Sequence, residues 1–334
     1  MKMTISALAL ATSFAVAPAL AQTPPTYGPQ LEGFEYPHPL KRFDVTSQKQ
    51  DLSMGFMDVE PTGQANGRTA VLLHGKNFCG ATWESTIQAL TGAGYRVIAP
   101  DQIGFCSSTK PIGYQFSFQQ LAANTHAFLA AQGVERATII GHSMGGMLAA
   151  RYALQFPQSV EQLVLVNPLG LEDWQEAGVP YASIDSLYQG ELKTTAESIK
   201  AYQLRFYYNG HWEPRYDRWV EMQAGMYTGP AREIVAWNQA QTAEMLFVQP
   251  VVHEFGRIRV PTVLMIGGAD RTAPGANRAP PELARTLGQY AELGRRSAAA
   301  IPGARLVEFP DLGHSPQVES PGRFHAELVK ALAN

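Results

Sequence analysis

Cysteine is scarce in this chain of 334 residues: only Cys79 and Cys106 occur, which excludes a minidomain stapled by a disulfide framework. Neither sign of charge dominates. Lys and Arg number 26 against 29 Asp and Glu, a formal charge of −3, and no basic run breaks the balance, so no nucleic-acid partner is expected. The histidines, at 38, 74, 126, 142, 211, 253, 314 and 325, form no His-x-His or His-x-x-x-His pair. No metal site and no cofactor are therefore expected. Beyond residue 21 no apolar run could cross a membrane. Apolar residues, by contrast, make up 45% of the chain and charged ones only 16%, enough greasy surface to bury a sizeable core. The length exceeds what one core supports without elaboration, which predicts one large domain with an insertion, or two domains.

The sustained apolar stretch from Ile5 to Leu20 follows Lys2, is broken by Pro18 and ends in Ala19-Leu20-Ala21. It reads as a secretory signal peptide over residues 1–21, cleaved after Ala21, and not as a stable membrane span. Export to the periplasm or the medium is the corresponding expectation. Losing Lys2 leaves 25 basic and 29 acidic residues, a charge of −4.

Residues 22–38 are rich in Pro and Gly and read as an irregular lead-in. Strand-like stretches follow at 41–47 and 52–59, then the continuous apolar run Thr69 to Leu73, typical of a strand covered on both faces. From there the pattern alternates: helix 82–93, strand 95–99, helix 117–131, strand 137–140, helix 144–155, strand 162–166. Such alternation predicts an α/β fold with a mostly parallel central sheet flanked by helices. It stops for about 90 residues before the next buried strand, Val260 to Ile266, whereas a crossover needs only about a dozen. An aromatic-rich helical insertion over 171–255 fills the gap and holds Trp174, Trp212, Trp219 and Trp237. The core is then 39–170 plus 256–334, closing with a helix over 281–299, a strand over 305–309 and a helix over 321–332.

The sharpest motif is Gly141-His142-Ser143-Met144-Gly145, set between a strand and a helix. A strand that turns at once into a helix strains the serine, and flanking glycines leave room for it, so Oγ is lifted clear of the backbone. A serine hydroxyl needs a base, itself oriented by a third group. His314, in a loop after the last strand, is the best-placed base, whereas His325 reads as a surface residue on the final helix. Asp270, just past the strand ending at Ile266, is the orienting carboxylate. Met144 N–H, following the nucleophile, is one oxyanion donor. His142 reads as a packing residue within the elbow.

The order Ser143, Asp270, His314 resembles the α/β-hydrolase superfamily of serine hydrolases, from about Lys41 to the C-terminus. The segment between Asp270 and His314 departs from the family by an insertion around 280–295. His74-Gly75-Lys76-Asn77 is similar to the family's His-Gly-x oxyanion motif, which implies Lys76 N–H as the second donor, with Asn77 as fallback. Asp101-Gln-Ile-Gly-Phe-Cys106-Ser is similar to a family loop that shapes the pocket floor, Cys106 replacing its second glycine. The resemblance also places the loops carrying Cys79 and Cys106 side by side, which implies a disulfide. It implies that the insertion is a lid, with some of Trp174, Trp212, Trp219 and Trp237 facing the substrate.

Together these features imply a secreted, cofactor-free serine hydrolase that cleaves a small-molecule carboxylic ester with an apolar portion, through an acyl-enzyme. A lactonase, amidase or C–C hydrolase with the same triad is an alternative, as is a non-catalytic ligand-binding protein on the same scaffold.

Overall fold

The structure, a computed structural model, describes residues 25–333; the signal-peptide reading over 1–21 lies outside them. Strands β1 (Leu40–Ser47) and β2 (Gln50–Val59) form an antiparallel hairpin. Its two-residue turn puts both Gln48 and Lys49 at positive φ, 51° and 62°, the conformation whose twist matches the flanking strands. The remaining strands are β3 (Thr69–Leu73), β4 (Arg96–Pro100), β5 (Ala137–His142), β6 (Val160–Val166), β7 (Thr262–Gly267) and β8 (Arg305–Phe309). They build one eight-stranded sheet in the order β1-β2-β4-β3-β5-β6-β7-β8. Only the pairs β1/β2 and β2/β4 are antiparallel; the rest of the ladder is parallel.

Parallel strands are covered on both faces because each crossover lays a helix on the sheet. Successive side chains of β3 accordingly serve different cores. Val71 and Leu73 pack with the helices α2 (Phe118–Ala131) and α3 (Met144–Gln155), while Ala70 and Leu72 pack with α1 (Glu84–Gly92) and the C-terminal helix. Helix α2 starts at Ser117, whose hydroxyl accepts the Gln120 N–H at 3.0 Å, a side-chain cap that satisfies one orphan donor.

Between β6 and β7 run α4 (Ile184–Glu191), α5 (Ala196–Tyr202), a π-helical turn (Gln203–Tyr207), α6 (Asp217–Tyr227) and α7 (Arg232–Val248). Residues 25–38 hold no helix or strand and lie against α6: Tyr27 N–H donates to Gly225 O at 2.8 Å and Arg218 Nη2 to Glu35 O at 3.0 Å. After β7 the chain forms α8 (Pro281–Ala284), α9 (Tyr290–Ala300), α10 (Pro316–Glu319) and α11 (Pro321–Ala333). The helix expected over 281–299 is thus two helices. Gly288 divides them, with φ at 67° and its N–H held by the Glu172 carboxylate at 2.9 Å, a conformation that a continuing helix does not allow.

Candidate active site

Ser143 stands at the junction of β5 and α3 with φ 58° and ψ −121°, a backbone state that a side chain rarely adopts and that persists only when its surroundings impose it. Its surroundings are backbone. A Cβ on Gly145 would meet Leu73 O at 2.1 Å and one on Gly141 would meet Gly145 O at 2.1 Å, so β3, β5 and α3 close on one another too tightly for any other residue. The strained serine is therefore a product of how closely the helix leaves the strand. Ser143 lines a cavity of about 790 Å³, as do Lys76 and Asn77.

Asp270 and His314, 44 residues apart, are both fully buried, with Nδ1 2.6 Å from Oδ2. The carboxylate is held from two further directions. Thr272 N–H donates to Oδ1 at 2.7 Å and Asn167 Nδ2 to Oδ2 at 2.9 Å. Asn167 follows β6 at φ 36° and also accepts the Gly267 N–H at 2.8 Å, so it ties the ends of adjacent strands β6 and β7 together beneath the carboxylate. With Nδ1–H given to Asp270, the other ring nitrogen of His314, Nε2, is buried and without a hydrogen-bond partner. No hydrogen bond joins it to Ser143 Oγ here. Catalytic hydrogen bonds of this kind often close only around substrate.

The His314 loop is gripped on two sides. Below it, His142 Nε2 donates to His314 O at 2.8 Å, and the two rings are 4.9 Å apart. A carbonyl only accepts, so Nε2 carries the proton; burial holds the His142 pKa well below the ordinary histidine value and keeps the ring neutral. Above it, the π-helical turn accepts two backbone donors, His314 N–H at Phe206 O (3.0 Å) and Ser315 N–H at Tyr207 O (3.4 Å). Tyr207 in turn accepts Asn77 Nδ2 at 3.0 Å on its hydroxyl, linking the loop after β3 to the His314 loop. Beside it, Gly313 N–H donates to Glu319 Oε2 at 2.6 Å, and burial pushes the Glu319 pKa up to about 7.

His74 is buried and anchors the base of the loop after β3. Its Nε2 accepts the Gln102 N–H at 3.0 Å, which leaves Nδ1–H for Gly75 O at 2.8 Å. Farther along the same loop, a disulfide joins Cys79 to Cys106, with Cα atoms 5.9 Å apart. The loop is also tied to its neighbour by Asp101, which accepts Gly80 N–H (2.7 Å), Ser107 N–H (3.0 Å), Ser107 Oγ (2.5 Å) and Tyr36 OH (2.5 Å).

The tryptophans do not line the cavity. Trp174 is buried and donates to Glu172, Trp212 donates to Asp217, and Trp237 donates to Ile112 O. Trp219 is buried beside Arg218, whose guanidinium lies 4.9 Å from its ring. Each indole packs outside the cavity, and the apolar part of its wall comes instead from residues such as Leu169, Ile199, Tyr202, Tyr207, Leu246 and Phe247. His325, read as a surface residue, is half-buried. It bonds Thr86 Oγ1 at 2.9 Å, and burial lowers its pKa to about 4. Asn167, Tyr207 and the positioning contact of His142 escaped the sequence reading, because each works through partners 100 or more residues away.

Among the described residues two clusters have metal-ligand geometry. In one, Cys79 and Cys106 are bonded to each other. The other, Asp173, Glu176 and His253, lies at the surface of the segment between β6 and β7 and does not line the cavity. No helix of the described residues is long and apolar enough to cross a membrane.

A model of the alpha/beta hydrolase fold matches residues 70–321. A solved structure from Pseudomonas aeruginosa PAO1, described as a "probable hydrolytic enzyme", is 60% identical with a TM-score of 0.92, over 92% of this chain and 99% of that one. The 2-hydroxy-6-oxo-6-phenylhexa-2,4-dienoate hydrolase of Burkholderia cepacia is 25% identical over 87% of this chain and 96% of its own. An esterase from Exiguobacterium antarcticum has the same fold, with a TM-score of 0.70 at 21% identity over 87% of this chain and 99% of that one.

Proposed function

Because the chain belongs to the alpha/beta hydrolase fold family and is a hydrolase, we propose that it cleaves carboxylic esters through a serine acyl-enzyme, with Ser143, His314 and Asp270 as its triad. One observation carries this reading: a buried imidazole, fixed by Asp270 at 2.6 Å, has its second nitrogen free, while the strained Ser143 faces the same cavity as the loop after β3. His314 Nε2 takes the Ser143 proton as Oγ attacks the carbonyl carbon. Asp270 keeps the proton on Nδ1, so the free nitrogen is the basic one. The backbone N–H groups of Met144 and Lys76 hold the developing oxyanion, with Asn77 as the alternative second donor. Collapse expels the alcohol, protonated by His314, and a water deprotonated by the same ring then releases the acid.

Esters are favoured over amides because alcohols leave more readily than amines, and the apolar part of the cavity wall, Leu169, Ile199, Leu246 and Phe247, suits an ester with an apolar portion. The helices between β6 and β7 act as the lid. The chain works after export, with residues 1–21 removed, in a compartment where the Cys79–Cys106 bond persists. N-terminal sequencing of the exported protein should begin at Gln22.

Hydrolysis of a carbon–carbon bond is a second reading, favoured by the Burkholderia cepacia relative. Fluorophosphonate labelling and a panel of p-nitrophenyl esters, lactones, anilides and dienoates test the assignment. Ester turnover should fall at least about 10⁴-fold in Ser143→Ala, with loss of labelling. Labelling without turnover of any ester overturns the ester assignment, and absence of labelling overturns the serine mechanism. A ligand-binding protein on this scaffold would do neither.

A further inference from the structure

Three charged side chains line the cavity: Lys76, Glu191 and Arg278. Two of them neutralise each other, Lys76 Nζ lying 2.9 Å from Glu191 Oε1 and 3.0 Å from Gln239 Oε1, while Tyr227 OH donates to Glu191 Oε2 at 2.8 Å. Arg278 has no such partner. Its Nε donates to Pro180 O at 3.0 Å and its guanidinium lies 5.4 Å from the centre of the Phe247 ring. Among the described residues no carboxylate is within ion-pair distance of it. Burial alone lowers its pKa, with no neighbouring acid to offset the cost.

The loop that presents Arg278 is shaped for it. Gly275, at φ 88°, lies so close beneath the guanidinium that an added Cβ would meet Nη2 at 2.7 Å. In the same loop, Thr272 also lines the cavity, and its hydroxyl is buried without a hydrogen-bond partner. A guanidinium with one N–H committed keeps its Nη fork free for two parallel bonds to a carboxylate. Leaving a half-buried cation unpaired is costly, and a bound anion removes that cost.

We propose that Arg278 is the anion-binding end of the cavity, so that the ester cleaved at Ser143 carries a carboxylate remote from the scissile bond, with an apolar chain between them lying along Leu246 and Phe247. This rests on the reading of Ser143 as nucleophile and names the substrate class that the reading leaves open. The carboxylate lies on either the acyl or the alcohol side, and two matched pairs separate these cases. On the acyl side, mono-p-nitrophenyl suberate is compared with p-nitrophenyl octanoate; on the alcohol side, 8-acetoxyoctanoate is compared with octyl acetate.

In the wild-type protein the anionic member of one pair should match or exceed the neutral one in kcat/KM. That anionic-to-neutral ratio should fall roughly 10- to 100-fold in Arg278→Ala, the loss expected for a charge-assisted hydrogen bond. Arg278→Glu should lower it further, and Arg278→Lys should restore part of it. A ratio that the charge at position 278 does not move in either pair overturns the proposal, because a purely structural role alters both members alike. If no ester is turned over, the ester reading has failed, and the anion site is read separately by calorimetry of suberate with the Ser143→Ala protein. Binding that weakens by the same factor on adding Arg278→Ala supports the site; absence of binding overturns it.

Discussion

Asn167 shows how much of the site depends on one side chain with no chemistry of its own. Its amide nitrogen reaches Asp270 and its carbonyl takes the Gly267 N–H, so a leucine there would leave a buried carboxylate short of a donor and a buried N–H without an acceptor. Each such loss costs about 1–3 kcal/mol. Asn167→Leu should lower kcat for a neutral ester by roughly 10- to 100-fold with KM nearly unchanged, because Asn167 orients the carboxylate and does not line the cavity. A change confined to KM would contradict that role.

His325 allows a pH prediction with a definite sign. The unfolded chain binds this proton near pH 6.5, whereas the folded chain resists it until pH falls to about 4, because burial disfavours the charged ring. The contribution is therefore complete above about pH 6.5 and is lost as the pH drops from there towards 4. It amounts to about 3 kcal/mol over that window. Glu319, raised to about 7, works in the opposite direction between the carboxylate range and neutrality, so the total slope is a poor readout. The stability difference between wild type and His325→Gln isolates the histidine. It should shrink by that amount between pH 7 and pH 4 in urea unfolding; a constant difference would show that the ring titrates normally.

At the scale of elements, the site is assembled from the ends of parallel strands. Ser143, the proposed nucleophile, follows β5, Asn167 follows β6, Asp270 follows β7 and His314 follows β8, all at the C-terminal edge where crossovers leave a crevice. Beside them, the loop after β3 is held by the bond between Cys79 and Cys106, which closes a segment with a sequence separation of 27. Closing a loop of that size restricts the unfolded chain by roughly 3–4 kcal/mol. The double variant Cys79→Ala/Cys106→Ala should lose about that much in a urea titration. It should also lose ester turnover, because the loop carrying Lys76 and Asn77 is no longer clamped. Unchanged turnover would mean that His74 and Asp101 suffice to hold it.

For the whole molecule, the contacts that matter run between regions distant in the chain. Asp101 gathers the lead-in through Tyr36, the loop after β3 through Gly80 and its own loop through Ser107. Asp101→Ala strands these buried donors together, and should cost roughly 3–5 kcal/mol, visible as a lowered Tm and earlier proteolysis of residues 25–38. If the melting temperature stays within a degree or two, the junction is not a single cooperative unit. The π-helical turn plays the matching role above the His314 loop, and Tyr207 connects that loop to Asn77.

The strands, the helices and their alternation were legible in the residues themselves, because hydrophobic period and turn chemistry are local. So was the order of Ser143, Asp270 and His314, since each follows a recognisable strand. The break at Gly288 was not, because the Glu172 carboxylate that accepts its N–H comes from 116 residues away. The tryptophans show the same limit: composition placed them in the segment between β6 and β7, but only the packing of its helices decided that Tyr202, Tyr207 and Phe247 line the cavity. The amino-acid sequence by itself determined which chemistry could be present, because reactivity begins with residue type and local backbone strain. Tertiary structure alone decided which groups support it and which of the cations lining the cavity has no ion-pair partner, because burial and pairing depend on neighbours that chain order does not specify.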